Sequence, residues 1–183
     1  MQLKIKSLFT NINSQVQRGL YGFVQVKVTA STTGDKVEVI SKGMKLSTLS
    51  SKINDSDDAW NTDQTSRCAL DQDWDDEGMD SDRNKSNKLE VSYLKFDDIA
   101  VNFEDKSGTV CFSKDGSWYS TAEEFESSGV FYICEGKEIK CIIKENGDSN
   151  DPKHDNLFAL NWSRFGNITL EKWSKSKLEW ILQ

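Results

Sequence analysis

Apolar residues recur at every fourth position through the first thirty residues, at Leu8, Ile12, Val16, Leu20, Val24 and Val28, with Ile5, Phe9 and Phe23 widening the stripe. On a 3.6-residue helix a four-residue repeat drifts by about 40° per step, so this face winds slowly and suits a twisted sheet laid across it. The expected fold is α+β: one long N-terminal amphipathic helix, running from Leu3 to about Ala30, packed on an antiparallel β-sheet domain built from the rest of the chain. The end of that helix has a competitor. Gly19 and Gly22 lower helix propensity, and Val24, Val26 and Val28 alternate with polar residues, so with the turn signal Ser31-Thr32-Thr33-Gly34-Asp35 they also read as one arm of a hairpin. The helical reading is the preferred one.

A length of 183 residues with six Trp supports one domain with a single core. The expected division is helix at 1–30, a first strand region at 31–46, an acidic polar excursion at 47–88, a β-meander with hairpins at 89–173, and a tail at 174–183. No run approaches the roughly 18 apolar residues that span a bilayer, and the residues up to Lys6 are too few for a signal peptide. The helix also starts without a Ser, Thr, Asp or Asn cap ahead of it, as expected of the remainder of a longer helix.

The distribution of charge says more than its sum of −7. Between Asp55 and Asp82 eleven acidic residues stand against Arg67 alone, a local −10, which leaves +3 for the remainder. That remainder holds no Lys/Arg stripe interleaved with aromatics, so nucleic-acid binding is disfavoured. The excursion is expected to run over the surface, pinned by Trp60 and Trp74 and tethered at Cys68, rather than to form a second core.

Four cysteines, Cys68, Cys111, Cys134 and Cys141, come with one histidine and no Cys-x-x-Cys, which argues against zinc and for two disulfides in an exported protein. Three pairings are open. The favoured one joins Cys134 to Cys141 and Cys68 to Cys111, although a two-residue turn at Gly136-Lys137 sets Cys134 opposite Ile139 instead.

Strand signals are dense in the second half. Lys36–Ser41 comes first; Leu89–Leu94, Ile99–Glu104 and Thr109–Phe112 then read as a meander, the last entering the turn Ser113-Lys114-Asp115-Gly116. Val130–Cys134 with Ile139–Ile143, and Leu157–Trp162 with Gly166–Trp173, read as two hairpins. Asn146–Pro152 is a loop between them, and the tail reads as a short amphipathic piece through Leu178, Trp180 and Ile181.

No constellation argues for catalysis, and no cofactor is expected. Asp71-Gln72-Asp73-Trp74-Asp75 has the alternating carboxylates of a calcium loop, but the sixth position holds Asp76 where the sharp turn needs Gly, and the twelfth holds Asp82, one methylene shorter than Glu. Asn146–Asp155 is a weaker gathering of oxygens. His154 lies in a polar loop without a triad to join, Glu123, Glu124 and Glu126 have nothing to desolvate them, and Gly116, Gly136, Gly147 and Gly166 sit singly at turns rather than in a phosphate loop.

The order of elements and several short stretches resemble the GspH/FimT family of minor type IV pilins and type II secretion pseudopilins, which have a long N-terminal helix, a short Gly-containing turn, a first strand and a β-rich domain. Gly34-Asp35-Lys36-Val37-Glu38-Val39 resembles the helix-to-strand junction. Gly108–Gly116 is similar to the family strand that ends in an Asp-Gly turn, Val130–Cys134 to the next strand, and Leu160–Ile168 to the final one. The resemblance implies a non-enzymatic filament or tip subunit whose helix stripe (Leu8, Ile12, Val16, Leu20, Val24) faces sister pilin or pseudopilin subunits. It also implies an inner-membrane position facing the periplasm before assembly, through an apolar helical half that this sequence lacks. Asn167 follows Gly166 where DNA-binding members carry basic residues, which counts against DNA uptake, and the acidic stretch is longer than the family pattern. Two other readings compete: an exported binding protein using Trp60, Trp74 and Trp118 as ligand platforms, and an acidic inhibitor covering a basic partner with Asp55–Asp82.

Overall fold

The computed structural model describes residues 2–30, 36–75, 94–97, 99–103, 108–120, 124–125, 128–135, 141, 156–163 and 167–183. Helix α1 (Gln2–Gln17) leads into strands β1 (Tyr21–Ala30) and β2 (Lys36–Lys45), followed by two short helices, α2 (Leu46–Lys52) and α3 (Gln64–Cys68). Nine more strands follow among the described residues: β3 (Leu94–Asp97), β4 (Ile99–Phe103), β5 (Thr109–Ser113), β6 (Trp118–Ser120), β7 (Glu124–Phe125), β8 (Ser128–Glu135), β9 (Leu157–Ser163), β10 (Ile168–Ser174) and β11 (Glu179–Leu182).

The helix expected to reach Ala30 stops at Gln17. Gly19 takes the left-handed conformation at φ +73°, its N–H bonds to the carbonyl of Val16 at 3.0 Å, and the Leu20 N–H reaches back to Gln15 at 3.1 Å. These two bonds form a Schellman motif, which glycine favours because it has no Cβ to clash there. Beyond it the valine alternation prevails, and β1 pairs with β2 from Ala30↔Val37 to Tyr21↔Lys45. The hairpin, not the longer helix, is the structure of this segment. A register shift between Tyr21 and Phe23 turns their side chains into different clusters.

One sheet was expected; among the described residues there are two, both antiparallel. The first has the order β3-β2-β1-β5-β6-β7 and the second β11-β10-β9-β8-β4. The predicted meander is split between them: β5 adds to β1 of the first sheet, whereas β4 pairs with β8 in the second; of the predicted strand Leu89–Leu94 all but Leu94 lies outside the described residues, and β3, which begins at Leu94, pairs with β2. Of the two predicted hairpins, β9–β10 forms in the register Leu170↔Leu160, while β8 pairs with β9 and residues 139–143, Cys141 apart, lie outside the described residues. The tail is a strand rather than a free amphipathic piece.

The sheets face each other with α1 between them. Val24, Val26, Val110, Phe112 and Trp118 line one side and Phe131, Ile133, Phe158, Leu160, Trp162 and Leu170 the other, and α1 adds Leu8, Phe9, Ile12 and Val16 to the same core. Phe9 touches both sheets, its ring centroid 6.0 Å from Phe112, 5.7 Å from Phe131 and 5.5 Å from Trp162. The Trp162 indole lies flat across Gly129, its cross-strand partner, where any Cβ would collide with the ring.

The excursion is not merely a surface loop. Trp60, Cys68 and Trp74 are buried with Met44 and Leu49 against Phe23, Cys111 and Tyr119 on the outer face of the first sheet, a second hydrophobic cluster. The Trp60 and Trp74 rings meet edge to face at 4.8 Å, a favoured aromatic geometry. The segment from α2 to Asp75 therefore caps the sheet.

Candidate functional site

Each residue singled out from the sequence now has a place. Leu8, Ile12 and Val16 are 2%, 1% and 2% exposed, packed on the protein's own two sheets. Val24 is fully buried and belongs to β1 rather than to a helix, and Leu20 stands exposed past the helix end. The five do not form a face open to a sister subunit. The stripe is what two facing sheets require to close their shared core, which is why its period satisfied a helix-packing reading equally well. The exposed side of α1 instead carries Leu3, Ser7, Thr10 and Gln17.

The proposed ligand platforms are internal. Trp60, Trp74 and Trp118 are buried, the first two in the cap and the third against Trp162, with ring centroids 5.3 Å apart. A crevice does open beside Asn13, between the β5–β6 turn (Ser113, Ser117) and the β9–β10 turn (Ser163), but it has room for about 10 Å³, the size of one water. An organic ligand does not fit there.

The two cysteine pairs stand at disulfide distance, Cys68 with Cys111 and Cys134 with Cys141, each with Cα atoms 5.7 Å apart. Cys68–Cys111 ties the cap to β5 across a sequence separation of 43. A buried amide reinforces that tie: Gln25 Nε2 donates to the carbonyls of Cys68 at 2.7 Å and Leu70 at 3.1 Å. The second bond lies on the outer face of the other sheet, beside Leu157 and Trp173.

Most of the described acidic residues of this segment are engaged by partners within the chain. Asp71 pairs with Lys27 of β1 at 3.0 Å, its backbone carbonyl accepts from Lys42 at 2.9 Å, and Asp75 Oδ2 accepts the Lys45 N–H at 2.8 Å. The Lys27 ammonium holds the Asp71 carboxyl below its ordinary pKa. Asp63 is the N-cap of α3; the Ser66 hydroxyl at 2.6 Å and the Ser66 N–H at 3.0 Å lower its pKa. The Trp60 N–H, and then Lys52 at 3.2 Å, do the same for Asp58. Burial lowers the pKa of Arg67, whose Nε donates to the Trp60 carbonyl at 2.7 Å. Sequence reasoning missed that lysines of β1 and β2 receive the acidic segment, because the pairs span up to 44 residues.

Asp71 and Asp75 thus serve the sheet rather than a shared centre, and among the described residues no three of His, Cys, Asp and Glu converge. Asp76 and Asp82 of the calcium-loop reading lie outside the described residues, as do the 146–155 stretch, His154, Glu123 and Glu126. Among the described residues no helix is long and apolar enough to cross a membrane.

No known protein family, characterised protein or solved structure matches the chain. The pilin resemblance rests on the residues that carry it.

Proposed function

We propose that this chain is the globular domain of a minor pilin of a type IV pilus, a non-enzymatic filament or tip subunit, with a minor pseudopilin of type II secretion as the alternative within the same family. The observation that carries the reading is the path of α1. Its C-terminal half is fastened into the domain by Leu8, Phe9, Ile12 and Val16, its first turn leaves Leu3 72% exposed, and a single Gly-containing turn takes it directly into the first strand. That order of helix, glycine turn, strand and β-rich body is the order the family resemblance implies, with the junction at Gly19 rather than at Gly34. The Gly108–Gly116 stretch supports it locally: β5 ends in a tight turn in which the Gly116 N–H bonds to the Ser113 carbonyl at 3.0 Å.

On this reading the helix carries the domain, while the cap over the first sheet and the outer face of the second are displayed to sister subunits. The test is the intact mass and N-terminal sequence of the chain extracted from the membranes of its native cells. A stretch of about 25 mostly apolar residues ahead of Gln2 is the expected result. A native chain that starts at or near Met1 and fractionates with soluble protein overturns it.

One observation favours a second reading, an exported acidic protein that covers a basic partner. Asp55, Asp57 and Asp73 are exposed and meet no cation among the described residues. A partner complex that dissociates steeply between low and high salt supports that alternative.

A further inference from the structure

Among the described residues, β11 forms one edge of the second sheet. It is the last strand there and, among those residues, pairs on one side only, with β10, in the register Glu171↔Leu182, Lys172↔Ile181, Trp173↔Trp180 and Ser174↔Glu179. The Gln183 N–H bonds to the Leu170 carbonyl at 2.8 Å, which fixes the phase of the ladder. In an antiparallel pair, hydrogen-bonded and non-hydrogen-bonded positions alternate, so Ile181 and Glu179 turn their backbone groups toward β10, and Trp180 and Leu182 turn theirs to the open side.

That edge lacks the usual protection. It has no proline and no bulge, and Glu179 is the only charge in the strand. Two of the exposed large hydrophobic residues flank it, Leu178 at 52% and Leu182 at 65%. Trp180 sits beside them, its ring 5.5 Å from Trp173 and 6.3 Å from Tyr132.

We propose that β11 pairs antiparallel with β11 of a second copy of this chain, about a two-fold axis through Ile181. This register joins the outward groups of Trp180 to those of Leu182 on the partner copy, and the reverse; the Leu182 carbonyl, which already accepts from the Gln183 side-chain amide at 3.3 Å, takes the Trp180 N–H of the partner copy as its second donor. It lays each exposed Leu182 beside the other copy's Trp180, extending the row from Trp173. Charge selects it over its neighbours. An axis through Glu179 sets two carboxylates face to face, and one through Trp180 sets each carboxylate against Ile181, whereas the axis through Ile181 keeps the two Glu179 carboxylates at opposite ends of the ladder. The two five-stranded sheets then become one of ten strands.

A four-residue ladder covers less than the roughly 800 Å² per partner of a standard interface, so the dimer is a weak one that forms as the protein is concentrated. The net charge of −7 opposes it at low salt, and physiological ionic strength is the condition to use. This pairing does not depend on the filament reading.

The experiment is sedimentation of the full chain from about 10 µM to about 1 mM, a range suited to a small interface, together with two kinds of variant. Leu182→Pro removes an outward N–H and leaves the bonds to β10 intact, because proline is tolerated where the N–H faces away from the sheet. Ile181→Cys places two thiols at a close non-hydrogen-bonded pair, within disulfide reach, and Glu179→Cys does not. The expected result is a mass that doubles with concentration for the parent chain, stays single for Leu182→Pro at unchanged melting temperature, and becomes covalently dimeric for Ile181→Cys but not for Glu179→Cys. A parent chain that stays monomeric throughout overturns the proposal and leaves the filament reading to its own N-terminal test. So does a dimer that survives Leu182→Pro, or cross-linking that favours position 179. If Leu182→Pro fails to fold, the cysteine pair decides.

Discussion

The ring of Phe9 lies nearly parallel to that of Trp162, with centroids 5.5 Å apart and an interplanar angle of 28°. This contact joins the helix to the second sheet, while Phe112 at 6.0 Å joins the same ring to the first. Phe9 is therefore a residue through which one helix holds two sheets. Phe9→Ala is expected to cost about 3–5 kcal/mol of unfolding free energy, and Phe9→Leu distinctly less, because the leucine refills part of the cavity. Chemical denaturation followed by circular dichroism measures both. Equal losses for the two variants count against an aromatic hub.

Gly19 tests what ends the helix. Nothing approaches a built Cβ there closer than 3.7 Å, at the flexible Lys114 side chain, so the cost of Gly19→Ala reports the backbone conformation alone. It is expected to be about 1–2 kcal/mol, with Gly19→Asn milder because asparagine tolerates the left-handed region. Removing the glycine does not extend the helix: β1 is held by its pairs with both β2 and β5, and helical content should stay unchanged.

Replacing Cys68 and Cys111 together by Ser should lower stability by about 2–4 kcal/mol, as expected of a cross-link closing a loop of this size. The loss should fall first on the cap. Trp60 and Trp74 are buried only by that segment's contact with the sheet, so the variant should show a red-shifted tryptophan emission before the sandwich unfolds. A single cooperative transition with no early change in emission argues that the cap and sandwich are one unit.

Acid should loosen the cap as well. Asp63 is lowered by the Ser66 hydroxyl and N–H, Asp58 by the Trp60 N–H and Lys52, and Asp71 by Lys27. A carboxylate with a depressed folded-state pKa adds stability that is fully present above its ordinary value of 3.8 and is lost as pH falls through the lower folded value. Thermal stability should hold through neutral pH and decline below about pH 4, and Asp63→Asn should flatten that decline. Melting curves from pH 2 to 7 supply the comparison; a variant with the parent slope removes Asp63 from the account.

The apolar stripe offers no selective handle on subunit binding. Leu8 and Ile12 are core residues, and changing either to Ala is expected to cost about 2–5 kcal/mol. Leu3→Ser, on the exposed first turn, should leave the melting temperature alone and is the cleaner probe of contacts made by the helix. A Leu8→Ala variant as stable as the parent places that side chain outside the core.

Local chemistry was legible in the sequence. The four-residue stripe marked α1 and its buried residues, the Ser113–Gly116 turn and the β9–β10 hairpin followed from turn residues and alternation, and the cysteine pairing favoured there is the one the structure brings within reach. These features are decided within a few residues by periodicity, by the need for positive φ or by turn preference. Even where the helix ends was present as a competing signal, since Gly19 and the valine alternation both spoke against continuing it. Tertiary structure alone decided the rest. Nothing local tells β3, β4 and β5 which sheet to join, because a short strand carries no record of its partner and pairing is chosen by residues far along the chain. Nor does polar composition show that Trp60, Cys68 and Trp74 make a second core, since their burial requires the outer faces of Phe23, Cys111 and Tyr119. The stripe on α1 fixed that a helix would bury one side; whether the far side belonged to a neighbour or to a second sheet of the same molecule was settled only when the two sheets closed on Phe9.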